Sequence, residues 1–116
     1  MRVVLFGALA LAAACTGPAA LPPTMRGVWG LSAEACVNAD DDGRAEVMAD
    51  AVAFKLSHYA LRRIAARADS VHAEALVQEE GEEAPVASWI ELQLTGPDSL
   101  TVTTSAGAMD YRRCPS

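Results

Sequence analysis

The chain has no apolar run long enough to cross a membrane, and it has few basic residues. Its longest apolar stretch is the twelve residues from Val3 to Ala14, whereas a transmembrane helix needs about 20. Nine basic residues stand against 15 acidic ones, which gives a formal net charge of −6. This acidic balance argues against nucleic acids and anionic lipid surfaces as partners, and it favours cationic partners only weakly.

Recognisable catalytic and metal-binding motifs are also missing. His58 and His72 are the only histidines, and neither belongs to an HExxH, GxSxG or paired Cys/His arrangement. Cys36 and Cys114 are isolated from each other in sequence, which is not metal-ligand spacing. We therefore expect no catalytic residue, no metal site and no cofactor, and we expect both histidines to be polar surface residues.

The N-terminus has the features of an export signal, with Arg2 before a short apolar stretch. The sequence LAAAC at residues 11–15 resembles the lipobox of bacterial lipoproteins, in which a peptidase cleaves before a cysteine that carries diacylglycerol. Ala12 takes the place of the leucine that is commonest there. The resemblance implies a signal peptide over residues 1–14 and lipidation at Cys15. An ordinary signal peptide followed by an incidental cysteine is the alternative, and it would leave the protein soluble in the periplasm.

The residue after Cys15 is Thr16. In the lipoprotein family an aspartate at this position often retains the protein in the inner membrane, so Thr16 resembles the outer-membrane pattern and implies attachment to the periplasmic face. Removal of the first 14 of 116 residues leaves 102, which suffices for one small domain. Residues 15–26 contain three prolines and a glycine, and we interpret them as a flexible, lipid-anchored tether to a domain over residues 27–116.

Cys36 and Cys114 are expected to form a disulfide, because an exported chain reaches a compartment where disulfides persist. The loop that they would close spans nearly the whole domain. On the chain-entropy model, such a loop contributes about 4–5 kcal/mol to stability.

Alternation of apolar and polar residues predicts a mainly β domain. Two runs, Ser70–Gln78 and Val86–Leu94, alternate well enough to form a hairpin, and shorter strands are expected at 27–31, 44–48, 100–105 and 111–114. Residues 45–68 suit either strands or a helix. We favour strands, which gives about eight short ones in a small antiparallel meander or lipocalin-like barrel; a helix there would make the fold α+β.

Several residues together resemble small exported lipoproteins of proteobacteria: Gly27-Val28-Trp29-Gly30-Leu31, Cys36, Asp42-Gly43-Arg44, Phe54 and the terminal Tyr111-Arg112-Arg113-Cys114-Pro115. The first strand and the cysteine after it are also similar to the lipocalin-like barrel of the alkaline metalloproteinase inhibitors. Those inhibitors close a short local disulfide and use a free N-terminal segment. The resemblance therefore implies fold class and location, and no inhibitory residue carries over.

Two acidic segments interrupt the strand pattern. Residues 38–43 begin like a calcium-binding loop, but the closing acid is missing because its position falls on Ala49. We interpret the segment as a solvated acidic turn. Residues 79–83 contain four glutamates and are interpreted as a solvated hairpin tip, with a grip on a cation or a basic partner as the alternative.

The aromatic residues suggest both a core and a contact surface. Trp29 and Leu31 are expected to share a buried face. Trp89 falls on the polar face of its strand, beside Glu91, where a ring either covers the end of the barrel or marks a contact surface. Trp89 and His72 are the candidates for such a surface.

Three functions fit these features. The first is a lipid-anchored binding or interaction module of the cell envelope without catalytic activity, either an inhibitor or an accessory subunit with an envelope protein as partner. The second is a carrier of a small apolar ligand inside a β-barrel. The third is a small envelope enzyme, an uncharacterised hydrolase, which would require a buried pair formed by a histidine and an acidic residue in one cleft.

Overall fold

A computed structural model describes residues 19–116 and shows a closed barrel of eight antiparallel strands, in which each strand pairs with its sequence neighbours and the last pairs with the first. The predicted β-barrel is confirmed. The α+β alternative was wrong, because residues 45–68 form strands. The strands are β1 Gly27–Gly30, β2 Arg44–Val47, β3 Ala51–Phe54, β4 Ser57–Arg67, β5 Ser70–Glu79, β6 Val86–Gly96, β7 Ser99–Thr104 and β8 Gly107–Arg113; a 3-10 helix spans Pro23–Met25, and helix α1 spans Ala33–Val37.

Alternation along the strands produces the core, as the sequence predicted. Every second residue of β5 is buried, whereas Glu74 and His72 between them are exposed. Successive side chains of a pleated strand point to opposite faces of the sheet, which explains this pattern. The buried cluster contains Leu21, Met25, Trp29, Ala45, Val47, Val52, Tyr59, Leu61, Val71, Ala73, Ala75, Val77, Ile90, Leu92, Leu100, Val102 and Tyr111.

A bulge in β4 explains why residues 45–68 were ambiguous. Pairing with β5 shifts register between Arg62 and Ala65, and Arg63 has a positive φ of 52°. Tyr59 and Leu61 face the core before the bulge, but the period-two pattern breaks at the bulge because an extra residue reverses the alternation. The 11 residues of β4 therefore form one continuous strand although no single period runs through them.

The topology gives the barrel two distinct ends. Because consecutive strands are antiparallel, the connections β1–β2, β3–β4, β5–β6 and β7–β8 lie at one end of the barrel, and the connections β2–β3, β4–β5 and β6–β7 lie at the other. We call the end at which β1 begins the proximal end, because the N-terminal segment enters there. The opposite end, the distal end, carries the four connections 31–43, 55–56, 80–85 and 105–106.

The N-terminal segment closes the proximal end, which corrects the predicted tether. Leu21 and Met25 are completely buried, and the backbone amide of Leu21 donates to the carbonyl of Ala49 at 2.8 Å. Proline at the start of the 3-10 helix needs no hydrogen-bond partner for its nitrogen. Residues 21–26 therefore belong to the domain. The predicted signal peptide and Cys15 lie outside the described residues.

The seam between β1 and β8 closes the barrel and is its shortest pairing, with only two residue pairs. The predicted disulfide between Cys36 and Cys114 is present beside it, and it joins α1 to the residue after β8. Gly30 permits the close packing of α1, because a β-carbon there would lie 3.0 Å from the Cys36 sulfur. Sequence reasoning missed α1, and it misplaced Leu31, which is 39% exposed because the chain leaves β1 before it.

Within residues 19–116, no helix is both long enough and apolar enough to cross a membrane.

Candidate functional site

A cavity of about 310 Å³ opens at the distal end of the barrel. Its lining residues come from five strands, β3, β4, β5, β7 and β8, and from the neighbouring loops. Phe54 and Tyr59 contact each other edge to face, with ring centroids 5.5 Å apart. Tyr111 and Met109 of β8 form the opposite wall. We call this cavity the distal mouth; Ser57, Val102, Asp42 and Glu79 also line it.

The distal mouth is shallow because side chains fill the barrel beneath it. Trp29, Ile90 and Leu100 are almost completely buried within the barrel, and Leu21 and Met25 fill the proximal end. A filled interior is typical of eight-stranded barrels, whose diameter just accommodates their own side chains. A ligand of this barrel must therefore sit at the mouth rather than within the core.

Two tyrosine hydroxyls in the distal mouth have no protein partner. Tyr59 and Tyr111 are 8% and 5% exposed, and no hydrogen bond within residues 19–116 involves either hydroxyl. No fully buried side-chain oxygen or nitrogen in that part of the chain lacks a partner, so both hydroxyls reach solvent. The mouth that these residues line provides that access. Each hydroxyl can donate to or accept from a bound group.

Burial of the ring raises the pKa of Tyr111 above its ordinary value of 10.0, because desolvation disfavours the phenolate. The folded chain then holds the Tyr111 proton at a pH where the unfolded chain has released it. The free energy of unfolding therefore falls as pH rises past the unfolded pKa. The decline in stability due to Tyr111 should begin near pH 10, and we expect it to be absent in Tyr111→Phe, measured by urea unfolding at each pH. Identical slopes for wild type and variant would contradict the assignment.

Acidic residues are concentrated in the distal connections, and Asp42 and Glu79 line the mouth itself. The distal loops carry seven carboxylates, namely Glu34, Asp40, Asp41, Asp42, Glu80, Glu82 and Glu83, and Glu79 ends the adjacent strand. Lys55 is the one basic residue in these four loops, and its Nζ lies 3.1 Å from Asp42. Up-and-down topology thus brings together two acidic segments that are about 40 residues apart in sequence.

The turn that resembled a calcium loop uses its side chains to shape the backbone. The Oδ1 atom of Asn38 accepts from the amide of Asp40 at 3.0 Å, and Oδ1 of Asp41 accepts from the amide of Gly43 at 2.8 Å. These are typical Asx turns. Within the described residues, no group of three or more His, Cys, Asp or Glu side chains is arranged to hold a metal ion.

The second candidate site is on the outer wall, where the structure brings together the two predicted contact residues. His72 stacks on Trp89, with ring centroids 6.2 Å apart and planes inclined by 15°. The Nδ1 atom of His72 lies 3.0 Å from Glu91 Oε2. The β5–β6 pairing explains both contacts, because Glu91 is directly opposite His72 and Trp89 lies on the diagonal. A groove of about 480 Å³ adjoins His72 and Glu91 and extends to Arg67 and Thr103.

The outer-wall cluster resembles part of a catalytic site but lacks a nucleophile. His72 and Glu91 are both more than half exposed at their side chains, so water competes with their interaction. In residues 19–116, no serine, threonine or cysteine side chain is hydrogen-bonded to either histidine. His58 is also exposed and lies on another part of the wall, opposite Gln78. The arrangement can bind a polar group by hydrogen bonding and stacking.

Sequence reasoning predicted the outer-wall residues but missed the distal mouth. Trp89 lies on the outer face of its strand, as alternation indicated. The mouth depends on inward-facing Phe54, Tyr59 and Tyr111, which belong to three different strands. Strand parity places Phe54 and Tyr59 at the distal ends of β3 and β4, but the position of Tyr111 along β8 does not indicate that it joins them.

Comparisons with protein-family models, with curated proteins and with solved structures yield no match to this chain.

Proposed function

We propose that the protein is a lipid-anchored binding module of the cell envelope that acts without catalysis, either as an inhibitor or as an accessory subunit. The observation that carries this proposal is the closure of the proximal end by residues 21–26, with Leu21 and Met25 fully buried. A chain attached to lipid at Cys15 enters the barrel at this end. The open distal mouth then faces away from the membrane, where a partner can reach it.

Chain length supports the same orientation. Five residues separate Cys15 from Leu21, and an extended chain spans at most about 20 Å over that interval, at ~3.3 Å per residue. The barrel would therefore stand close to the lipid surface. Thr16 at the second position of the mature chain supports the periplasmic face of the outer membrane as the location. Several acyl chains together make such attachment practically permanent.

The second candidate function, a carrier of a small apolar ligand, is favoured by the apolar walls of the distal mouth. Phe54 and Met109 contribute these walls. The filled interior limits such a ligand to a group that enters the mouth only partly, since drug-sized ligands usually occupy enclosed pockets of about 300–1,000 Å³. An enzymatic function has less support, because the exposed His72–Glu91 pair has no nucleophile beside it.

Mass spectrometry of the membrane fraction tests the anchor, with and without reduction. We expect an acylated N-terminal peptide beginning at Cys15, and a Cys36–Cys114 linked peptide that separates on reduction. A Cys15→Ser chain is the matched control and should show neither acylation nor cleavage before residue 15. Unmodified protein in the soluble fraction with free thiols would contradict the proposed anchor.

Binding is tested by cross-linking the intact lipoprotein in cells and identifying the captured proteins, with the Cys15→Ser chain as control. We expect one envelope protein to be enriched with the anchored form. Repeated failure to capture any protein at saturating cross-linker would count against an interaction module.

A further inference from the structure

We propose that the distal mouth is the docking site for a cationic amphipathic segment of a partner protein, in which an apolar side chain enters the cavity and neighbouring lysine or arginine side chains meet the acidic loops. This inference rests on the proposed binding function, and it adds the location of the site and the chemistry of the partner. The apolar surface, the charge and the unpaired hydroxyls each contribute to it.

The exposed apolar residues are concentrated at the distal end. Five large hydrophobic side chains in residues 19–116 are exposed, and four of them lie in distal loops or at the adjoining ends of the strands, whereas Val37 is on α1. Val86 and Met109 occupy strand positions whose side chains face inward. They are nevertheless 63% and 50% exposed, because nothing covers the mouth. Grouped apolar exposure beside polar residues is typical of interaction sites. The five residues are Leu31, Val37, Leu56, Val86 and Met109.

Charge complementarity specifies the sign of the partner. The distal loops carry seven acidic residues and one basic residue, and the basic residue, Lys55, is engaged by Asp42 at 3.1 Å. The proximal end differs, because there Asp98 pairs with Arg113 at 3.3 Å. One end of the barrel is therefore strongly negative, which attracts cationic groups and raises their rate of association.

The chemistry of the mouth suits an apolar anchor next to a positive charge. Phe54, Tyr59 and Tyr111 present aromatic rings, which attract cations at their faces. The hydroxyls of Tyr59 and Tyr111 have no protein partner within residues 19–116, so they can accept hydrogen bonds from an ammonium or guanidinium group. A cavity of about 310 Å³ accommodates one large side chain.

The extent of the surface favours a peptide segment over a small molecule. Leu56 lies in the β3–β4 turn and Val86 begins β6, so they belong to two different hairpins at the distal end, and a ligand that fills the mouth alone would leave them exposed. A segment with one anchor residue and flanking contacts would cover them. Anchors in central pockets, surrounded by contacts that exclude water, provide most of the affinity in many protein interfaces.

Binding of a synthetic peptide tests this proposal. The probe is a labelled seven-residue peptide in which four lysines alternate with leucine, phenylalanine and leucine. The protein is residues 16–116, which contain the whole closed barrel and leave out the apolar segment and Cys15, so that the test is independent of acylation. We expect saturable binding in fluorescence anisotropy that weakens as salt rises, because screening reduces the charge attraction. A peptide with glutamate in place of lysine, and one with serine in place of the apolar residues, should bind at least about tenfold more weakly.

Two variants locate the site. Met109→Lys places a positive charge at the mouth on a side chain that is already half exposed, so the fold should tolerate it, and we expect it to weaken peptide binding at least about tenfold. Thr95→Lys adds the same charge at an exposed position near the proximal end and should leave binding unchanged. Circular dichroism and unfolding curves confirm that both variants fold.

Three outcomes would overturn the proposal. The glutamate peptide binds as well as the lysine peptide, or Met109→Lys and Thr95→Lys behave alike, or butylammonium competes at the same concentration as the peptide, which would assign the mouth to a small cation. The proposed binding function can be correct even if this docking site is wrong. An envelope partner whose cross-linking is unaffected by Met109→Lys would preserve the proposed function and overturn this site.

Discussion

Replacement of both Cys36 and Cys114 by serine should lower the free energy of unfolding by about 4–5 kcal/mol. The bridge joins residues 78 apart in sequence, so the unfolded chain without it gains the conformational entropy of a loop that includes almost the whole domain. A domain of this size is stable by about 5–15 kcal/mol in total. We therefore expect the serine variant to be only marginally folded at 37 °C.

The position of the disulfide strengthens this expectation. The β1–β8 seam has two residue pairs, whereas β5 and β6 share eight, so the seam is the weakest closure in the barrel. Cys114 follows the seam directly, and its amide donates to the carbonyl of Val28 at 2.9 Å. Loss of the bridge should open this seam first, because few other interactions hold it.

Urea unfolding measured by circular dichroism checks the disulfide prediction, with reduced wild-type protein as the matched control. Reduction and double substitution should lower the midpoint by similar amounts. Hydrogen exchange should become faster at the Cys114 amide before it does so at amides of β5. A loss below about 1 kcal/mol with an unchanged slope would show that the bridge contributes little beyond the barrel itself.

The parts of the fold that sequence predicted are those in which burial follows a local period. In β5, Val71, Ala73, Ala75 and Val77 are all buried, and their alternation can be counted without knowing which strand pairs with them. The disulfide was predictable for a similar reason, because the predicted export signal implies a compartment where disulfides persist, and the predicted domain has only two cysteines to pair. Neither prediction requires knowledge of distant contacts.

The parts of the fold that the sequence could not predict depend on packing between segments that are far apart in the chain. Proline-rich residues 21–26 were interpreted as a tether, because proline is unfavourable in regular structure. Leu21 and Met25 are buried only because a closed barrel offers an end of the right size for them. The short helix α1 is stabilised in the same way by packing on Gly30, although Ser32 caps its first turn.

The distal mouth could not be predicted from the sequence for the same reason. Residues 38–43 and 79–83 were each interpreted alone as a solvated acidic segment, and each taken alone fits that interpretation. Strand parity puts both of them at one end, beside the tyrosines of the mouth. The candidate site needs the acidic segments and the tyrosines together, and only the closed barrel brings them to the same end.

Trp29 should be the side chain whose loss most disturbs the proximal end. It is completely buried, its Nε1 donates to the carbonyl of Met25 at 2.9 Å, and the guanidinium of Arg113 lies 4.3 Å from the centroid of its ring. Arg113 also donates to the carbonyls of Arg26 and Thr24. One side chain of β1 therefore links the N-terminal segment to β8.

We expect Trp29→Ala to lower the free energy of unfolding by about 3–5 kcal/mol, because it removes a large buried ring and leaves a cavity. Trp89→Ala is the matched control: it deletes the same side chain from the outer wall, where Trp89 is only half-buried, and should cost less than about 1.5 kcal/mol. Equal losses in the two variants would contradict the central role of Trp29.

Hydrogen exchange at the Leu21 and Met25 amides distinguishes loss of the N-terminal closure from general destabilisation. The Leu21 amide donates to Ala49 and the Met25 amide to Pro22, so both should be protected in wild type. In Trp29→Ala their protection should fall further than that of the β5 amides, because Met25 loses its contact with the indole. Equal loss of protection at these amides and at those of β5 would instead indicate general destabilisation of the barrel.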